Sequence, residues 1–286
     1  MQRCTPPPLV LGASGRIGRA LRHHWGAEAA LWQTRRPQAG AGWHVFDPLS
    51  EPSVLQRIVG DAGQVLCLAG PLPAPGVNLR DHLKLAEACV LAAAATGARV
   101  VLASSAAVYG SQPGPLDENV TPAPMSPYGQ AKADMERAAL ALGRDMGVAV
   151  TCLRIGNIAG FDAILGGWRP GFSLDQFANG STPRRSYIGV LTLADVIAAV
   201  LAAPERPELL NIAQPGPIQM GALLDAAGRD YVGCPAPQTA IPEVALDVAR
   251  LRAFLAPQMT LSAADPAGMI AEMALLEPHM KDSSAQ

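Results

Sequence analysis

The chain has 286 residues, 49% of them apolar and 16% charged, with a net charge of −2. That length suits one large domain or a domain with an appendage, and the apolar share supports a sizeable core. Near-neutral charge supplies no basic field for nucleic acid or an anionic membrane surface.

In chain order, Met1 to Pro8 lacks the apolar segment of a secretory signal. Leu9-Val10-Leu11 reads as a strand, followed by a turn from Gly12 to Gly18 and a helical pattern to about Trp25. Ala29 to Gln33 and Trp43 to Phe46 are further short strands, and Val54 to Val59 looks helical. Val65 to Ala69 is a fourth strand, Asn78 to Thr96 a long Ala/Leu helix, and Val100 to Ala103 a fifth strand. Tyr128 to Met146 is helical and Val148 to Leu153 a sixth strand. Short apolar strands alternating with helices imply an α/β fold, a doubly wound parallel sheet of the Rossmann kind.

After about Gly156 the rhythm breaks. Gly166 to Gly171, Asn179 to Pro183 and the proline-rich Val232 to Pro242 read as loop. Leu193 to Ala203, Met220 to Gly228, 243–255 and 266–276 read as helices, and Leu209 to Ile212 as a strand. The last eight or so residues are expected to fray. Residues 1–155 are therefore expected to form a dinucleotide-binding domain. Residues 156–286 form a small substrate lid, packed on it and partly interleaved with it. Trp168, Phe172, Phe177 and Tyr187 read as core of that lid.

No run of about 18 apolar residues appears, so no membrane span is expected. The five cysteines (Cys4, Cys67, Cys89, Cys152, Cys234) show no C-x-x-C spacing and read as reduced thiols, with a cytoplasmic location as the default. The histidines show no metal-ligand spacing, and no metal is expected.

Gly12-x-x-Gly15-x-x-Gly18 lies between strand and helix, with Ser14, Arg16 and Ile17 inside it. The first glycine permits the turn and the second lets backbone approach a pyrophosphate. The third lets helix and strand pack, with the phosphates at the helix N-terminus. An acid after the second strand would bind the ribose hydroxyls of NAD. Here Thr34-Arg35-Arg36 stands in that place, and guanidinium forks suit the 2′-phosphate of NADP. NADP is thus the preferred expectation and NAD the other, with solvated surface arginines as the plain explanation. Asp47 is placed to accept from an adenine amino group, or to shape the turn before Pro48.

Tyr128 and Lys132 are spaced to share a helix face, where an ammonium favours the phenolate and lowers a tyrosine pKa from about 10. With Ser104-Ser105-x-x-Val108-Tyr109-Gly110 upstream, the chain resembles the extended short-chain dehydrogenase/reductases, the NAD-dependent epimerase/dehydratase family. Leu68-Ala69, Asn78, Leu153-Arg154-x-x-Asn157-x-x-Gly160 and Leu210-Asn211-Ile212 follow that family's order. The resemblance implies Tyr128 as acid/base, Lys132 tuning it and holding the nicotinamide ribose, and Ser105 on the reacting oxygen. It places Ala69 beside the cofactor, and Asn78 in support of Lys132 through water. It also implies a homodimer built through a four-helix bundle of Asn78–Thr96 and Tyr128–Met146.

Sugar-dehydrating members carry an Asp-Glu pair after the Ser105 position. Ala106 and Ala107 stand there and cannot move protons, so dehydration is disfavoured. Asp117 and Glu118 are expected to support the loop. Arg185-Ser186-Tyr187-Ile188-Gly189-Val190 resembles the family's Arg-Asp-Tyr-Ile-His-Val segment, whose arginine contacts a substrate diphosphate, and Asn157 matches a position touching the same group. Ser186, Gly189 and Thr192 depart from that pattern. Three functions remain open. The first is an NAD(P)-dependent oxidoreductase acting on a hydroxyl or carbonyl of a sugar-like or nucleotide-sugar substrate. The second is a nucleotide-sugar 4-epimerase, and the third a non-catalytic dinucleotide sensor.

Overall fold

The computed structural model describes residues 6–256 and 258–281. Cys4, and the expected fraying past Lys281, lie outside the described residues.

The first half alternates as its sequence implies. Strand β1 (Leu9–Leu11) leads to helix α1 (Arg16–Trp25), then β2 (Leu31–Thr34) and β3 (Trp43–Val45). Helix α2 (Pro52–Ala62), β4 (Gln64–Cys67), α3 (Asp81–Ala94) and β5 (Arg99–Ser105) follow, then α4 (Pro127–Met146). Two further strands, Val150–Ile155 and Leu209–Ile212, complete a seven-stranded parallel sheet. Its order is Leu209–Ile212, Val150–Ile155, β5, β4, β1, β2, β3. A strand covered on both faces needs consecutive apolar side chains, and Leu9, Val10 and Leu11 are each 0% exposed. From β1 the chain winds outward to β2 and β3, then returns to pair β4 with β1's other edge. The strand order reverses there, and in doubly wound sheets a ligand binds at the carboxyl ends beside such a reversal.

The chain separates into two compact units. One runs through Val108 and takes up Pro124–Arg154 and Val200–Leu209. The other comprises Tyr109–Ala123, Ile155–Ala199 and the residues from Leu210 on. In the first unit, Leu55, Ile58 and Val59 of α2, Leu85, Cys89 and Val90 of α3 and Ala139 of α4 pack with strand residues such as Leu11, Val65 and Val100 in one core.

Several elements differ from expectation. The helix expected at 243–255 is a strand, Glu243–Leu246, followed by a helix, Ala249–Leu255. Tertiary pairing decides this, because the strand sits between Arg184–Arg185 and Pro115–Leu116 with parallel register. Asp247 lies just before the helix's N-cap, Val248, and its Oδ1 accepts the Ala249 N–H at 2.7 Å. Ser173–Gln176 and Val232–Pro235 pair as a parallel two-stranded ribbon, the second within a stretch expected as loop. Tyr187 is fully buried with Ala159, Leu223 and Met269, while Trp168 and Phe172 pack on Ile164, Leu174 and Leu224.

Candidate active site

The glycine turn is shaped by what a side chain would strike. Gly12 has φ +76°, and a Cβ there would lie 2.7 Å from the Ala69 backbone. A Cβ on Gly18 would meet the Ala13 backbone at 2.5 Å, so α1 packs against the turn only as glycine. Ala69 therefore lies against the turn. Gly15 is the N-cap of α1 and provides no side-chain cap. The first N–H groups of such a helix are left for an anion. Buried Gln33 fixes the turn from below, its Oε1 accepting the Gly12 N–H at 2.9 Å and its Nε2 donating to the Phe46 carbonyl at 2.6 Å. Gln33 carries no sequence signal of this role, since a glutamine in a short apolar run does not show what it stitches. These features form a cradle that fits a dinucleotide diphosphate.

The Thr34 hydroxyl donates to the Arg36 carbonyl at 2.9 Å and also lies 3.2 Å from Ser14 Oγ. Arg35 and Arg36 are exposed beyond the end of β2, and Arg16 is exposed at the start of α1. Asp47 Oδ1 accepts the Leu49 N–H at 2.9 Å, so Asp47 shapes its own turn.

The structure brings Ser105, Tyr128 and Lys132 together. Ser105 ends β5, and its hydroxyl accepts the Ala107 N–H at 3.2 Å. The α4 N-terminus is defined by Ser126, whose Oγ accepts the Gly129 N–H at 3.0 Å, with Pro127 following as a residue suited to a first turn. A Cβ on Gly129 would collide with the Ala107 carbonyl oxygen, so only glycine lets α4 approach this close. Tyr128, one residue earlier, hydrogen-bonds the Ser105 side chain. Lys132 is 5% exposed and its Nζ donates to the Ala103 carbonyl at 2.7 Å. Nζ lies 5.7 Å from the Tyr128 ring centroid.

The charge states follow burial. Burial pushes the Tyr128 phenol up, and the Ser105 hydrogen bond opposes it. The expected lowering by Lys132 is not what the protein alone displays: burial is the larger effect on the phenol, and Ser105 is what opposes it. Burial brings Lys132 down to about 8, opposed by Cys67, Cys152 and Glu136. Glu136, one turn on from Lys132, is itself buried with Arg154, at 2.8 Å. The Ser104 hydroxyl donates to the same carboxylate at 2.5 Å. Ser104 and Arg154 thus belong to a buried polar network under the site.

Asn78 is exposed three residues before α3, donating to Asp81 at 3.3 Å and accepting the Arg80 N–H at 3.2 Å. The polar side chain that α3 carries to the Tyr128 ring is His82, with ring centroids 5.6 Å apart at 74°. Nothing in the histidine's sequence context marked it.

In the second unit, Asn157 and Arg185 are gathered about Tyr187. Tyr187 pairs in register with Asn157 and donates its hydroxyl to Asp162 Oδ2 at 2.7 Å. Burial, Asp162's charge and that hydrogen bond raise the phenol's pKa, with Asn157 and Arg185 opposing. Burial lowers the half-buried Arg185, opposed by Tyr187 and Asp175. Asp117 accepts the Asn119 and Val120 N–H groups, and Glu118 accepts the Asn211 N–H at 2.8 Å. Both support their loop, as expected. Tyr109 donates to Asn211 Oδ1 at 2.7 Å, so that residue is structural too.

The profile of the NAD dependent epimerase/dehydratase family matches residues 8–213. A UDP-N-acetylglucosamine 4-epimerase from Bacillus cereus is similar in structure, with 19% identity and a TM-score of 0.76 over 95% of this chain and 99% of that one. The Bordetella bronchiseptica enzyme WbmG, solved in complex with NAD and UDP, gives 17% and 0.75 over 95% and 94%. A UDP-glucose 4-epimerase from Thermotoga maritima, solved with UDP-glucose, gives 17% and 0.74 over 96% and 100%. At such identities the likeness is one of fold. No curated protein matches the sequence.

Proposed function

The chain belongs to the NAD dependent epimerase/dehydratase family of enzymes, and within it we propose an oxidoreductase of the extended short-chain type acting on a hydroxyl or carbonyl of a nucleotide-sugar or similar sugar. The observation that carries this is the meeting of Ser105, Tyr128 and Lys132 at the end of β5 and the start of α4. A nicotinamide dinucleotide, when bound, supplies the hydride acceptor or donor. Gly12, Ser14, Gly15, Arg16, Ile17 and Gly18 would hold its diphosphate, with Ala69 and Lys132 beside the nicotinamide half. Arg35 and Arg36 favour a 2′-phosphate and hence NADP. The NAD in the WbmG complex keeps NAD as the alternative.

In the oxidising direction Tyr128 takes the substrate hydroxyl proton, and in the reducing direction it returns one to the carbonyl oxygen. Ser105 donates a hydrogen bond to that oxygen and stabilises charge developing there. Lys132 offsets negative charge on the phenol. Ala106 and Ala107 supply no second acid or base, so proton movement stays with Tyr128 and no water is eliminated.

A 4-epimerase is the second reading, favoured by the gathering of Asn157 and Arg185 about Tyr187. We assign the first 155 residues to the dinucleotide and residues 156–286 to substrate. Loss of sugar binding without loss of dinucleotide binding in Arg185→Ala would support that division, and the reverse would sink it. A sensor without chemistry is disfavoured by the intact triad. A cytoplasmic location is part of the proposal, supported by the unbridged thiols Cys67, Cys89 and Cys152. It would be excluded by finding the native protein only in a membrane or secreted fraction.

The test is a parallel titration with NAD and NADP, then UDP-, dTDP- and GDP-sugars while nicotinamide absorbance is followed. Net absorbance change with a sugar supports the oxidoreductase. Sugar inversion with no net change supports the epimerase. Binding of neither dinucleotide would refute both.

A further inference from the structure

His82 is 3% exposed, and its Nε2 lies 3.0 Å from the Pro71 carbonyl oxygen. A carbonyl only accepts, so Nε2 carries the proton and Nδ1 keeps a bare lone pair. That Nδ1 is buried with no hydrogen-bond partner among the described residues. An unmet buried acceptor costs stability, and a phenylalanine in the same space would not carry that cost. Something other than packing is therefore served by the imidazole.

Its surroundings indicate what. Gly70 has φ +155°, and any Cβ there would overlap the His82 ring at Nδ1 and Cε1. The preceding residue, Ala69, is the one that Gly12's missing Cβ allows against the phosphate turn. The imidazole also meets the Tyr128 ring in a T-shaped contact. The contacts run unbroken from glycine turn to Ala69–Gly70–Pro71, to His82, to Tyr128 and so to Ser105.

We propose that His82 is a positioning residue of the hydride site. Its Nε2–H fixes the Ala69–Gly70–Pro71 segment beside the dinucleotide, and its ring seats the Tyr128 phenol. One side chain thereby sets the separation between the bound nicotinamide and the proton donor. The proposal rests on the dinucleotide reading given above. The imidazole must remain neutral to do this beside Lys132. Burial and Lys132 hold it down at about 4, opposed by the Pro71 carbonyl and Asp81.

The test is dinucleotide affinity against thermal stability in His82→Phe, His82→Gln and Gly70→Ala. His82→Phe keeps ring volume but loses the bond to Pro71. Its unfolding midpoint without dinucleotide is expected to hold or rise, while the dinucleotide Kd weakens by about tenfold, the worth of one hydrogen bond. His82→Gln, which keeps a donor for Pro71, recovers most of that affinity but not the wild-type kcat. Gly70→Ala displaces the ring at Nδ1 and Cε1 and weakens binding in the same way, so the proposal stays testable should one variant fail to fold. A Kd within about twofold of wild type in His82→Phe or Gly70→Ala would overturn it. So would a parallel fall of midpoint and affinity in His82→Phe, which marks plain packing. Wild type that binds neither NAD nor NADP overturns the underlying reading and this proposal with it.

Discussion

Lys132 keeps its ammonium on the Ala103 carbonyl while its pKa is pulled down to about 8, chiefly by burial. In an unfolded chain the same lysine titrates near about 10.4. With the folded value depressed, the associated stability is fully present above the unfolded pKa and is lost as pH falls through about 8. At neutral pH the charged lysine therefore costs stability for the sake of the site. Lys132→Met is expected to raise the unfolding midpoint at neutral pH, with the gain shrinking by about pH 9, and to abolish turnover. Thermal unfolding at both pH values checks this, and a midpoint lowered equally at each would contradict it. The spacing of Tyr128 and Lys132 was legible in the sequence; their charge states were not. Periodicity places two side chains on one face, but burial and the backbone carbonyls that reach them are tertiary facts. His82 and Gln33 were hidden for the same reason, since each acts through a partner distant in sequence.

At the scale of elements, the departures at Gly189 and Thr192 have a physical account. Glu272, from the helix Pro266–Lys281, accepts the Leu191 and Thr192 N–H groups at 2.8 and 3.0 Å. It also accepts the Thr192 hydroxyl at 2.5 Å. These residues open helix α5 (Val190–Ala202), so a carboxylate distant in sequence caps it. Any side chain at Gly189 would collide with that carboxylate. Ser186 is likewise structural, its Oγ accepting the Leu246 N–H at 2.8 Å. Glu272→Ala is expected to lower stability by about 1–2 kcal/mol, the worth of a strong cap. Chemical denaturation would measure this, and an unchanged midpoint would refute the capping role. The strands of the first half were readable because each is an apolar run buried on both faces. Glu243–Leu246 was not, because its pairing partners, Pro115–Leu116 and Arg184–Arg185, are two-residue strands with no pattern of their own.

For the whole molecule, the strand order and its reversal beside β1 set the glycine turn and the β4 carboxyl end side by side. The alternation in the first half of the chain announced a doubly wound parallel sheet but not the order of its strands, which is set by tertiary pairing; the short ribbons of the second unit were not announced at all. We also propose a homodimer through α3 and α4. The two helices pack together, and Leu91 stands 52% exposed on α3. Equilibrium sedimentation is expected to give a dimer at micromolar concentration, whereas monomer alone would defeat the assignment. The most direct test of the account is Tyr128→Phe, compared with wild type for dinucleotide binding and for turnover of whichever sugar responds. The variant should bind dinucleotide as wild type does and lose turnover by about 10²-fold or more, the usual share of a positioned acid/base. Undiminished turnover with intact binding would contradict it.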